Sequence, residues 1–118
     1  MKKYLGFIAA TFMVVEVFGV GAAIADDKYG AIAIGSDDAY GYSYDYDSQA
    51  EAEYAALSNC GSGCSVKVVF VNACGAVAKG GGFWGWAWNT NSNSAQANAL
   101  ANCGNGSCEI VTWACTAR

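Results

Sequence analysis

Three hydrophobic patterns follow one another along the chain. From Tyr4 to Ala25 the residues are apolar, interrupted by the single charge of Glu16 and preceded by Lys2 and Lys3. After Asp26 the apolar residues fall into short segments. Tyr40-Gly41-Tyr42-Ser43-Tyr44-Asp45-Tyr46 and Trp84-Gly85-Trp86-Ala87-Trp88-Asn89 carry an aromatic at every second position, which is the period of a β-strand. Each runs into an alanine-rich stretch, from Ser48 to Leu57 and from Asn93 to Ala101, where alanine favours helix. Apolar strands follow, from Val66 to Val71 and from Glu109 to Ala114.

The third pattern is that this order occurs twice. Tyr29-Gly30-Ala31-Ile32-Ala33 opens one series and Cys74-Gly75-Ala76-Val77-Ala78 opens the next, and both helical stretches end Asn-Cys-Gly, at Asn59-Cys60-Gly61 and Asn102-Cys103-Gly104. Agreement at this many ordered points reads as two copies of one unit, about 29–73 and 74–118. Ser48-x-x-Glu51 has the form of a capping box and Asn93-x-x-Gln96 is a weaker version. Gly61 and Gly104 sit where a left-handed residue ends a helix. The expected fold is α+β: two pseudo-symmetric strand–strand–helix–strand units with antiparallel strands and two alanine-rich helices.

The apolar run at the start reads as a signal peptide over residues 1–25. Two lysines precede it, and Ala23-Ile24-Ala25 presents small residues at −3 and −1 of a cleavage point before Asp26. A membrane anchor of about 20 residues is the competing reading; Glu16 and the Ala-x-Ala boundary favour cleavage. No cysteine follows that point, so lipoprotein processing is not indicated. Residues 26–118 then form a single disulfide-rich domain, with an exported, periplasmic or secreted location.

All six cysteines, Cys60, Cys64, Cys74, Cys103, Cys108 and Cys115, lie in that domain. An even number in a small exported chain predicts disulfides. Equivalent positions in the two units suggest Cys60–Cys64 and Cys103–Cys108, which leaves Cys74–Cys115. The short spacings also approach those of zinc ligands, but the chain has no histidine and export implies an oxidising compartment.

Charge narrows the partners. Four basic residues (Lys28, Lys67, Lys79, Arg118) face nine acidic ones in the domain. Scattered lysines on an acidic domain give no footprint for nucleic acid and disfavour anionic membrane surfaces; no membrane span is expected after cleavage. Without histidine there is no Ser-His or Cys-His pair. Asp45 and Asp47 flank Tyr46, and Glu51 and Glu53 stand two apart on a helix, so they do not share a face; helix capping and solvation are the simpler reading of these carboxylates. A calcium site would need Asp37, Asp38, Asp45 and Asp47 to converge, at a spacing unlike an EF-hand. Neither a metal nor a cofactor is expected.

The aromatic strands are the most informative feature. On a strand, Tyr40, Tyr42, Tyr44 and Tyr46 share one face, and Trp84, Trp86 and Trp88 another. In one reading they form the core, supplying area that alanine helices lack. In the other the small face (Gly41, Ser43, Gly85, Ala87) packs on the helices and the aromatics form an open platform, such as dominates binding hot spots. A split, with tryptophans inside and tyrosines outside, lies between them.

In this order the motifs resemble a family of secreted and periplasmic bacterial proteins, also found in mycobacteria, that carry an uncharacterised domain. Its features are Y-G-A-I-A (here Tyr29 to Ala33), a G-aromatic-S/A-aromatic strand (Gly41 to Tyr44), an alanine-rich helix end closing A-L-x-x-C-G (within Ala97 to Gly104, with a counterpart ending at Gly61) and N-x-C-G-A-x-A (Asn72 to Ala78). The resemblance implies the two-fold α+β fold, export and disulfides, and no established activity. The expected function is therefore a non-enzymatic exported binding module. A protein partner in the envelope or outside the cell ranks above a glycan, and the candidate surface is Tyr40, Tyr42, Tyr44, Tyr46, Trp84, Trp86 and Trp88. A secreted effector or inhibitor acting on a host or competitor is the alternative, and a small carboxylate hydrolase the third reading.

Overall fold

The computed structural model describes residues 27–116; the expected signal peptide lies outside them. The element order is β1 Tyr29–Ile34, β2 Tyr40–Tyr46, α1 Gln49–Cys60, β3 Ser65–Val71, β4 Cys74–Gly80, β5 Phe83–Asn89, α2 Ser92–Cys103 and β6 Glu109–Cys115. The fold is α+β, with six antiparallel strands in two three-stranded sheets, ordered β2-β1-β3 and β5-β4-β6. In each half the first strand is central and its successors flank it.

The two faces of each sheet differ in residue size. Ala31 and Ala33 of β1 pack on Ala52 and Ala56 of α1, and Ala76 and Ala78 of β4 pack on Ala95 and Ala99 of α2. Alanines four apart on each helix lie on one side of it and let it come close to the sheet. The opposite faces meet each other: Ile32, Ile34, Val68 and Phe70 of the first sheet join Val77 and Ala114 of the second in one buried cluster. The layers therefore run helix, sheet, sheet, helix. Phe70 is 1% exposed and slots against both Gly30 and Gly75, where a Cβ would stand 2.3 and 2.4 Å from its ring. These two glycines open the central strands to the phenylalanine ring between the sheets.

The join between the halves is held from both ends of the described chain. The Asn72 side chain accepts from the Lys28 amide and donates to Asp27, both at 3.0 Å. Next to it, Ala73 donates to Thr116 Oγ1 and accepts from the Thr116 amide, both at 2.9 Å. Three disulfides are present: Cys60–Cys64 and Cys103–Cys108 at the helix ends, and Cys74–Cys115 across the directly paired strands β4 and β6.

The helix caps hold one surprise. Ser48 caps α1, its Oγ accepting from the Glu51 amide. Asn91 rather than Asn93 caps α2, accepting from Ser94 at 2.9 Å; an Asn two residues earlier offers the same capping oxygen one half-turn sooner. At the other ends Gly104 is left-handed, φ 88, whereas Gly61 takes φ 108 with ψ −171, a region open essentially to glycine alone.

Candidate binding surface

The aromatic strands are the outer strands of their sheets, and this decides where their side chains lie. Tyr40 and Tyr42 oppose Ile34 and Ile32, so they leave the sheet on its inner face, beside the core. Trp84 and Trp86 likewise oppose Lys79 and Val77. At the edge that face is only partly covered. Tyr40, Tyr42 and Tyr44 are 44%, 40% and 51% exposed, and Trp86 and Trp88 are 40% and 58%. Trp84 alone is half-buried, against the inter-sheet core. The reading that makes the aromatics the core is overturned, and so is the split with tryptophans inside. Ile32, Phe70 and Val77 are the large, fully buried side chains.

The small residues between the aromatics seat the helices. A Cβ on Gly41 would lie 2.3 Å from the Ala56 carbonyl oxygen, and one on Gly85 2.2 Å from the Cys103 nitrogen. Ser43 Oγ donates to the Ala52 carbonyl at 2.7 Å. From the end of each helix an asparagine reaches over the strand edge: Asn59 Nδ2 donates to the Tyr42 carbonyl at 3.0 Å, and Asn102 Nδ2 to the Trp86 carbonyl at 2.9 Å. The middle of each edge is thereby occupied.

Tyr46 does not share the face of the other three tyrosines. Opposite β1 the register shifts between Tyr29 and Ala31, which pair with Tyr46 and Ser43. One extra residue therefore lies in β2, and Asp45 there has φ 66, a bulge conformation that aspartate tolerates. Beyond it Tyr46 opposes Tyr29, which packs on the helix side. Tyr46 thus turns toward α1 and lines a hollow of about 520 Å³ with Glu51, Tyr54 and Ser58. A second hollow of about 470 Å³ runs along β2 from Tyr40 to Tyr44, and Tyr46 and Asn59 border both. Tyr42 and Tyr44 stack with ring centroids 6.3 Å apart at 16°. Tyr54, 75% exposed, belongs to this surface and escaped the strand-based reading. Its signal is the spacing of Ala52 and Ala56, which puts position 54 on the far side of the helix. Phe83 and Trp113 are also exposed.

The tryptophan strand carries its own cations. Lys79 Nζ stands 4.9 Å from the Trp84 ring centroid and pairs with Asp38, and Lys67 Nζ stands 5.4 Å from Trp86. Carboxylates instead frame the tyrosine strand. Asp37 and Asp38 precede it, Asp45 and Asp47 end it, and all four are exposed; Asp47 pairs with Lys28 at 2.7 Å. The two aspartate pairs sit at opposite ends of a seven-residue strand, about 20 Å apart at the strand rise. They do not converge as a calcium site requires, because a strand separates what a tight turn would join. Among the described residues no three His, Cys, Asp or Glu side chains group as metal ligands. Glu53 accepts from Gln49 at 2.7 Å on the helix surface. Among the described residues no helix is long and apolar enough to cross a membrane.

Residues 29–115 match the family described as a domain of unknown function, DUF4189. The chain belongs to that family. The DUF4189 fold seen here is similar to that of Rv1813c from Mycobacterium tuberculosis, solved by NMR, with a TM-score of 0.60 and 34% sequence identity over 75% of this chain and 74% of that one. No match is found among curated proteins.

Proposed function

We propose that this DUF4189 protein is an exported, non-enzymatic binding module that meets a protein in the cell envelope or outside the cell through its aromatic edge strands. The observation that carries this reading is the exposure of Tyr40, Tyr42, Tyr44, Trp86 and Trp88 on the surface of a domain this small. Exposed aromatics grouped on rigid strands offer large contact area at low side-chain entropy, as binding hot spots do. Three disulfides agree with a chain built for an oxidising compartment, and the helix-seated strands hold the rings in place before any partner arrives.

The test is capture from an envelope extract with the oxidised protein immobilised. Replacing Tyr42→Ser together with Tyr44→Ser abolishes capture while the circular dichroism spectrum keeps its form. Capture that survives the double substitution argues against this surface.

A further inference from the structure

The structure distinguishes the two aromatic strands by charge. We infer that the tyrosine strand is a docking site for an extended lysine- or arginine-bearing polypeptide segment; this rests on the binding reading above and names the class of partner. The segment lies along β2 from the Asp37 end to the Glu51 end.

Three observations lead there. First, the exposed tyrosines form one continuous aromatic surface: Tyr42 and Tyr44 stack, and Tyr46 carries that surface round to Tyr54. Aromatic faces attract cations. Second, exposed carboxylates stand at both ends of the path, Asp37 before the strand and Glu51 in the hollow beyond it, at a span that an extended segment covers and a single small ion does not. Third, the molecule already contains the contact it would offer. Lys79 sits on the Trp84 ring and pairs with Asp38, and Lys67 sits on Trp86, so the tryptophan strand is supplied from within. A second copy of this chain is disfavoured as the occupant, because two acidic edges would be brought together.

The experiment titrates the 15N-labelled protein, its disulfides intact, with deca-lysine. Amide shifts are expected from Tyr40 to Tyr54 and not from Trp84 to Trp88, with binding that weakens as salt rises. Tyr42→Ser with Tyr44→Ser leaves net charge unchanged and weakens binding about tenfold; Asp37→Asn with Glu51→Gln, both at exposed positions, weakens it as well. If the tyrosine variant binds deca-lysine as tightly as the parent, the attraction is a diffuse one between polyanion and polycation and the inference is overturned. Shifts centred on the tryptophans overturn it too, as do tyrosine shifts that follow protein concentration without peptide or that a neutral oligosaccharide reproduces. Deca-lysine that moves nothing, while the tyrosine variant still loses its partner from an extract, removes the cationic partner and leaves the binding surface standing.

Discussion

The two halves of the molecule follow the same path and finish it differently. Each lays an aromatic edge strand under an alanine helix and closes that edge with an asparagine from the helix end. In the first half the strand is tyrosine, bulged at Asp45 and bounded by carboxylates; in the second it is tryptophan, regular in register and attended by lysines. Between residues 27 and 73 there are seven acidic side chains and two lysines, and between 74 and 116 only Glu109 and Lys79. The shared features are those that seat helix on sheet. The differences in charge and in ring type lie on the surface, where packing leaves side chains free to change.

The halves also differ in how they are fastened, and this gives the largest expected effect. The pair Cys74 and Cys115 in the second half occupies the register position of Tyr29 and Val71 in the first. Cys74→Ser with Cys115→Ser opens a loop of 41 residues and should cost about 4 kcal/mol, against about 2 kcal/mol for losing Cys60–Cys64. Thermal melting of the two double variants, with limited proteolysis, checks it. Equal losses would mean that the long staple is not what sets the halves apart.

The next prediction concerns what the halves share. Gly41→Ala and Gly85→Ala each press a methyl into helix backbone and should each cost about 1–3 kcal/mol by denaturant titration. A neutral result at one position alone would break the equivalence of the two helix seats. The smallest effect belongs to Ser43, whose hydrogen bond to Ala52 has no counterpart at Ala87. Ser43→Ala makes the first half resemble the second at this point and should cost about 1 kcal/mol; no measurable change would make that bond incidental to the difference.

Much of this architecture is legible in the residue pattern, and its limits have physical causes. Period-two aromatics, alanine runs and terminal glycines mark the strands and helices because each reports a local backbone preference. Alternation also says which residues share a face. It does not say which strand lies at an edge, since Tyr42 alternates the same way whether or not another strand covers it. Exposure depended on sheet order, and the sheets place the first strand of each half at the centre. Tyr46 was misassigned because alternation assumes an unbroken register, and Asp45 breaks it. The extra residue shows in the spacing only with the observed cap of α2: Gly41 precedes the Ser48 cap by one residue more than Gly85 precedes the Asn91 cap, whereas a cap at Asn93 reverses the difference.

The asparagines at the helix ends have a wider consequence. The chain contains no proline, and β5 from Phe83 to Asn89 carries no charge and no bulge. A flat, uncharged, aromatic edge is the template on which fibrils grow. One amide from Asn102 on the Trp86 carbonyl interrupts that template at its middle. The same side chain therefore occupies, at the middle of the strand, a backbone group that edge-to-edge pairing would need.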